Sequence, residues 1–187
     1  MLAYAFWHWK RSEVPKEAYE ARQRAFQEAL AAAPPEGFFG GSTVRLQGAA
    51  WAADGATAYE DWYLIGDMTA LGVLNDAAVT GSRQAHHNAV AELAAGGIAG
   101  LYRLRLGAAL PAPRSSRWFA KPSGMSYATL DQALTPVVAA ASAALWCRQM
   151  TLGPTPEFCL HGAAPIDIPP EFSGLDLALD PLFGRAR

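Results

Sequence analysis

Cysteine is scarce in this chain: Cys147 and Cys159 are the only two in 187 residues. Two thiols cannot make a disulfide framework, so an apolar core must hold the fold, and a reducing cytoplasmic setting is the expectation. Charge is sparse as well, at 17% of residues with a formal net charge of -2. Lys and Arg are scattered singly or in pairs, leaving no basic stripe to neutralise phosphates, which argues against a nucleic-acid partner. No apolar run approaches the roughly 20 residues of a membrane span, and a membrane partner is not expected. The opening Met1–Lys10 run lacks a basic leader and is interrupted by His8, so it reads as a strand rather than a signal peptide. Cofactor fingerprints, metal-ligand spacings and nucleophile motifs are missing too, and the residues by themselves identify no cofactor.

What the chain has is apolar and aromatic material: 51% hydrophobic residues, with six Trp, six Tyr and eight Phe. Residues 2–10 alternate, with Leu2, Tyr4, Phe6 and His8 on one face and Ala3, Ala5, Trp7 and Trp9 on the other. Both faces are largely apolar, which predicts a central strand covered on two sides. Pro15 and the Ala-, Glu- and Gln-rich stretch to Ala33 predict a helix whose apolar face carries Tyr19, Phe26, Leu30 and Ala33. Strands are expected around Thr43–Gln47 and over Tyr59–Gly66, joined as a hairpin through Asp54-Gly55. A helix capped by Thr69 should follow, bend or break at Thr80-Gly81-Ser82, and end at Gly96-Gly97. Leu101–Leu106 then alternates as a strand, completing a unit over residues 1–107.

Residues 108–115 have the proline content of a connector, after which the order restarts. Trp118–Lys121 reads as a strand and Ser126 as the cap of a helix to about Leu134. Leu145–Leu152 and Glu157–His161 flank Gly153-Pro-Thr-Pro156 as a hairpin. This second series covers 116–162 and stops short of its last helix. Pro165, Pro169, Pro170 and Pro181 make residues 163–187 an extended tail.

A strand, helix, strand, strand, helix, strand order is ferredoxin-like, an antiparallel sheet with both helices on one face. The whole chain is read as α+β: a complete βαββαβ unit followed by a truncated βαββ unit, packed as an α/β barrel in one compact fused domain. That order resembles the dimeric α/β-barrel superfamily, which includes antibiotic-biosynthesis monooxygenases, muconolactone isomerase, EthD-type proteins and chlorite-dismutase-type haem proteins. The resemblance implies a ligand between the sheet face and the helices or a facing sheet, in a pocket lined by aromatics with few polar groups. It also implies an axial histidine on a helix should haem be the ligand, a role open to His86 or His87. It carries no catalytic residue over to this chain.

The polar candidates come from the residues. His8 ends an aromatic strand, where a neutral imidazole can act as acid, base or ligand. Asp61 shares a strand face with Tyr63 and Ile65, and Glu60 shares the other with Trp62 and Leu64. Arg148 shares a face with Trp146, Met150 and Leu152 and would be an inward cation needing an anionic partner, a ligand carboxylate or Asp61. His8, Asp61 and Arg148 are therefore the catalytic candidates, and Trp7, Trp9, Tyr63, His86, His87 and Trp146 the ligand-binding ones. Cys159 and His161 share a face but show no orienting third group. Arg103, Arg105 and Lys121 are expected to face water. The functional expectation is a small-molecule binder, of monooxygenase or isomerase type, acting on a small aromatic or polyketide-like compound. Haem binding and a non-catalytic sensor or interaction module are the alternatives. The incomplete second unit leaves two ways to cover the sheet, closing a barrel within the chain or pairing its edge with a second copy, and of these a homodimer is the expectation.

Overall fold

β1 (Leu2–Lys10) lies inside a nine-stranded antiparallel sheet, between β3 (Ala58–Ile65) and β4 (Ala94–Gly107). This is a computed structural model, and it describes residues 1–52 and 57–186. The central position follows from the two apolar faces of β1. Ala3, Ala5 and Trp7 are buried on one side, and Tyr4, Phe6 and His8 meet the helices on the other. β2 (Phe38–Leu46) pairs outside β3, so the first unit has the order β4-β1-β3-β2 of a ferredoxin-like sheet. The Asp54-Gly55 turn expected between β2 and β3 lies outside the described residues.

Three helices cover the outer face of this unit: α1 (Lys16–Ala32), α2 (Met68–Ala78) and α3 (Gly81–Ala91). The break expected at Thr80-Gly81 is a true separation of α2 from α3. The cap of α2 is Asp67 rather than Thr69, because its carboxylate accepts the Ala70 N–H. Gly96 and Gly97 do not close a helix; they belong to β4. There they leave room for the rings of Trp9 and Phe6, and a Cβ on Gly97 would sit 2.5 Å from the Phe6 ring.

The second unit consists of β5 (Ser115–Phe119), α4 (Tyr127–Ala140), β6 (Ala144–Arg148), β7 (Phe158–Gly162) and β8 (Gly174–Ala178). Its order, β8-β5-β7-β6, repeats that of the first unit, so the expected truncation is corrected: the proline-rich tail supplies the fourth strand. What is missing is only the second helix. A 3-10 turn (Pro170–Phe172) takes its place and drives Phe172 against Phe119, because prolines bar a longer helix. Ser126 caps α4 as expected, but the helix runs past Pro136 to Ala140, since Pro136 sits on the exposed side while Leu130, Leu134 and Val138 are buried.

β6 pairs with β4 and joins the two units into one sheet. The last strand, β9 (Asp180–Ala186), pairs with β2 at the far end. β8 and β9 are thus at opposite ends of the strand order yet only Leu179 separates them in the chain. The sheet is accordingly curled so that its halves face each other. Trp7 of β1 meets Trp118 of β5 at 5.7 Å, and Trp62 of β3 meets Trp146 of β6 at 5.1 Å. One buried cluster between the halves takes side chains from all of β1 to β8. A second lies beneath α1–α3 and a third beneath α4.

Candidate functional site

Between the facing halves lies the buried aromatic cluster, whereas the space beneath α1–α3 is open. A cavity of about 670 Å³ lies there, between the outer face of the first unit's sheet and the three helices. Tyr4, Phe6, His8, Asp61 and Tyr63 form its floor, because alternation on β1 and β3 sends these residues to the helix side. Tyr19, Gln23, Phe26 and Leu30 of α1 form one wall, and α2 and α3 contribute Leu71, Leu74, His87 and Val90 to the other.

The polar groups of the cavity form one connected chain. Asp61 is buried and accepts hydrogen bonds from Gln23 Nε2 at 2.5 Å, Thr43 Oγ1 at 2.5 Å and Tyr63 Oη at 2.7 Å. Three donors converging on one carboxyl describe an ionised carboxylate. His8 Nε2 lies 3.3 Å from Asp61 Oδ2, at ion-pair distance but off hydrogen-bond geometry, which leaves that nitrogen formally unpartnered. His8 Nδ1 is 2.6 Å from Tyr19 Oη. An anion on the Nε2 side favours the tautomer with its proton on Nε2, so Tyr19 O–H donates to Nδ1. The imidazole is stacked between Phe6 (5.2 Å) and Tyr59 (5.5 Å), which fixes its plane.

Burial, reinforced by the charge of Asp61, pushes the Tyr19 and Tyr63 phenols well above their ordinary range. Both therefore stay protonated and act as donors. The order carboxylate, imidazole, hydroxyl is that of a general-base relay, with Tyr19 as the member held by a helix rather than the sheet.

The expected residues divide cleanly. His8, Asp61, Tyr63 and His87 line the cavity. Trp7 and Trp146 point to the opposite side of the sheet, into the buried cluster between the halves, as strand alternation requires once His8 faces the helices. Trp9 is half-buried against Gly96. His86 is exposed on α3, one step round the helix from His87, whose ring meets Phe26 edge-on at 5.6 Å. Arg148 does not reach Asp61: its guanidinium donates to the carbonyls of Gly153 and Thr155 and ties down the β6–β7 loop. Arg105, expected in water, forms a two-pronged ion pair with Asp131 of α4. His161 faces Glu60 and Trp62 between the halves, away from the cavity.

Tyr19, Gln23 and Thr43 are hydrogen-bond partners of His8 and Asp61 that the strand-based reading passed over. A signal was present for two of them: Gln23 follows Tyr19 by four positions, placing a polar side chain on the apolar face of α1.

Haem would need an axial histidine and cations for its propionates. His87 is suitably placed, but among the described lining residues there is no Lys or Arg, and the floor carries the Asp61 carboxylate. The residues do not fit haem.

No family model matches the chain, and no curated protein matches it. Solved structures do. A protein of Fusobacterium nucleatum subsp. nucleatum ATCC 25586, provisionally named a monooxygenase, superposes with a TM-score of 0.67 at 7% identity, over 99% of this chain and 94% of that one. An anthrone oxidase-like protein gives 0.51 at 12% identity, over 96% and 90%. A Lactobacillus acidophilus NCFM protein, also provisionally named a monooxygenase, gives 0.55 at 10% identity, over 87% and 77%. At such identities the likeness establishes the ferredoxin-like α+β fold and leaves function to the site. No described helix is long and apolar enough to cross a membrane.

Proposed function

We propose that this protein is an enzyme that binds a small, neutral, flat aromatic molecule beneath α1–α3 and removes a proton from it in a cofactor-free oxygenation. The observation that carries this reading is the Asp61–His8–Tyr19 chain opening into a roughly 670 Å³ aromatic cavity. The facing halves are read as an α/β barrel closed within one chain through Leu179, so the second unit takes the place a partner's sheet would fill and the site requires no second copy.

In this reading Tyr19 receives a proton from an acidic C–H or O–H of the ligand while passing its own to His8 Nδ1, and Asp61 stabilises the resulting imidazolium. The phenol never carries charge, which suits a tyrosine whose ionisation is disfavoured by burial. The electron-rich anion left on the ligand then reacts with dioxygen. For anthrone, one oxygen atom replaces the two hydrogens of the ring methylene and the other leaves as water, giving the quinone. An isomerase would use the same relay to return the proton elsewhere on the ligand.

The test is oxygen uptake and quinone formation from anthrone, with naphthol binding followed by calorimetry. Wild type should bind naphthol and oxidise anthrone, and His8→Ala should bind but lose turnover by about 100-fold or more. Turnover unaffected by that substitution would remove the proton-transfer reading. Soret absorption on haem addition would restore the haem alternative, and binding without turnover would favour a sensor.

A further inference from the structure

On the other side of the sheet from the cavity, five of the six tryptophans lie in one continuous cluster. Trp51 and Trp118 are 4.9 Å apart, Trp7 and Trp118 5.7 Å, Trp62 and Trp146 5.1 Å, and Tyr102 joins Trp62 at 5.2 Å. At its centre sits Glu60, wholly buried. Its two carboxyl oxygens each accept an indole N–H at 2.5 Å, Oε2 from Trp7 and Oε1 from Trp62. His161 Nε2, which has no hydrogen-bond partner, stands 3.7 Å from Glu60 Oε1. An apolar core does not require this. A buried carboxylate carries a desolvation penalty that apolar packing would avoid, and here it is offset by two indole N–H donors.

We propose that the Trp7–Glu60–Trp62 group is a one-electron oxidation site, a trap for oxidising equivalents. Indoles are among the most easily oxidised side chains, and an oxidised indole becomes a strong N–H acid. A solution-borne or cavity-borne one-electron oxidant takes an electron from the cluster and is itself reduced. The N–H proton moves to Glu60, leaving a neutral tryptophanyl radical beside a carboxylic acid. A small reductant of the ascorbate class returns the electron, and Glu60 returns the proton. Contacts among the rings let the electron vacancy move from Trp118 or Tyr102 to the two indoles whose protons have an acceptor.

The placement suits an oxygen-handling enzyme. Trp62 lies between Asp61 and Tyr63 on β3, and Trp7 between Phe6 and His8 on β1, so each oxidisable ring is one sheet thickness from the cavity floor. That purpose rests on the oxygenation reading, but the redox property does not, and it is measured without any substrate.

The experiment is flash photo-oxidation of the full chain with a ruthenium polypyridyl sensitiser and an irreversible quencher, read by transient absorption and electron paramagnetic resonance. Wild type should give a long-lived neutral tryptophanyl radical. Glu60→Gln, which cannot take the proton, should give the radical-cation spectrum instead or lower the radical yield by about an order of magnitude. Trp9→Phe, outside the cluster, should change nothing. Because Glu60→Gln places an amide N–H₂ against an indole and could unfold the core, the Trp7→Phe/Trp62→Phe double variant provides the second arm, in which the radical should disappear with circular dichroism unchanged. A neutral radical of equal yield in either cluster variant, or one lost in Trp9→Phe, overturns the proposal. Loss of the radical with anthrone turnover intact leaves the cavity reading standing, and the converse leaves the trap standing.

Discussion

The hydroxyl of Tyr19 ends 2.6 Å from Nδ1 of His8, joining a helix to the strand that floors the cavity. Replacing Tyr19 by Phe keeps the ring, which packs 5.0 Å from Tyr59, and removes only the proton carrier. Turnover should fall by about 100-fold while naphthol affinity changes little, since general acid–base groups contribute roughly 10²–10⁴. The unpaired Nδ1 should cost about 1–2 kcal/mol of stability. Nitrogen NMR of the imidazole gives an independent check: wild type should show the Nε2–H tautomer, and the Nδ1–H form would contradict the relay.

Filling the cavity separates binding from folding. Ala78 lies at the cavity wall on α2, and Ala78→Trp projects an indole into the space a ligand would occupy. Naphthol affinity should drop by about ten-fold or more while the melting temperature holds or rises, because a preformed void gains packing contacts. Unchanged affinity would move the ligand elsewhere.

The β1 alternation was legible in the sequence because period two assigns His8 to one face and Trp7 to the other without further information. The same rule separated Asp61 from Glu60. What it could not settle was which face held the void. Both are rich in aromatics, and the difference arises from how α2 and α3, with only Ala70, Leu74 and Val90 buried, stand off the sheet. The tail was misread because four prolines rule out a helix without ruling out strands. β8 and β9 are edge strands, where a missing N–H is tolerated, and Pro181 sits at a register shift opposite Val44. Arg148 keeps the side that alternation gives it, beside Tyr102 on the Trp146 face, but Asp61 lies on the opposite face, so the guanidinium takes the Gly153 and Thr155 carbonyls instead.

Alkaline pH should unfold the protein in step with tyrosine ionisation. All six tyrosines have raised pKa values: burial dominates at Tyr4, Tyr19, Tyr59, Tyr63 and Tyr102, and the Glu157 carboxylate accepting its hydroxyl dominates at Tyr127. Tyr59 is pushed up to about 12. Folded values above the unfolded value of about 10 stabilise the native state fully below that pH, and the contribution is lost as pH rises through the folded values. Phenolate absorbance should therefore stay low past pH 10 and then rise steeply together with loss of ellipticity. A gradual titration of the other five tyrosines centred near 10 in folded protein would contradict their burial, Tyr127 being exposed.

The two units should unfold as one body, and Trp118 is the residue on which this can be tested. It belongs to β5 of the second unit, is fully buried, and touches Trp7, Trp51, Trp62 and Tyr102 of the first. Trp118→Ala should cost about 3–5 kcal/mol, as large core truncations do. Denaturant unfolding of the variant should nonetheless remain a single transition with an unchanged slope, because β4–β6 pairing and the β8–Leu179–β9 connection still bind the halves together. A second transition would mean that the indole cluster, rather than the continuous sheet, makes the two units cooperative.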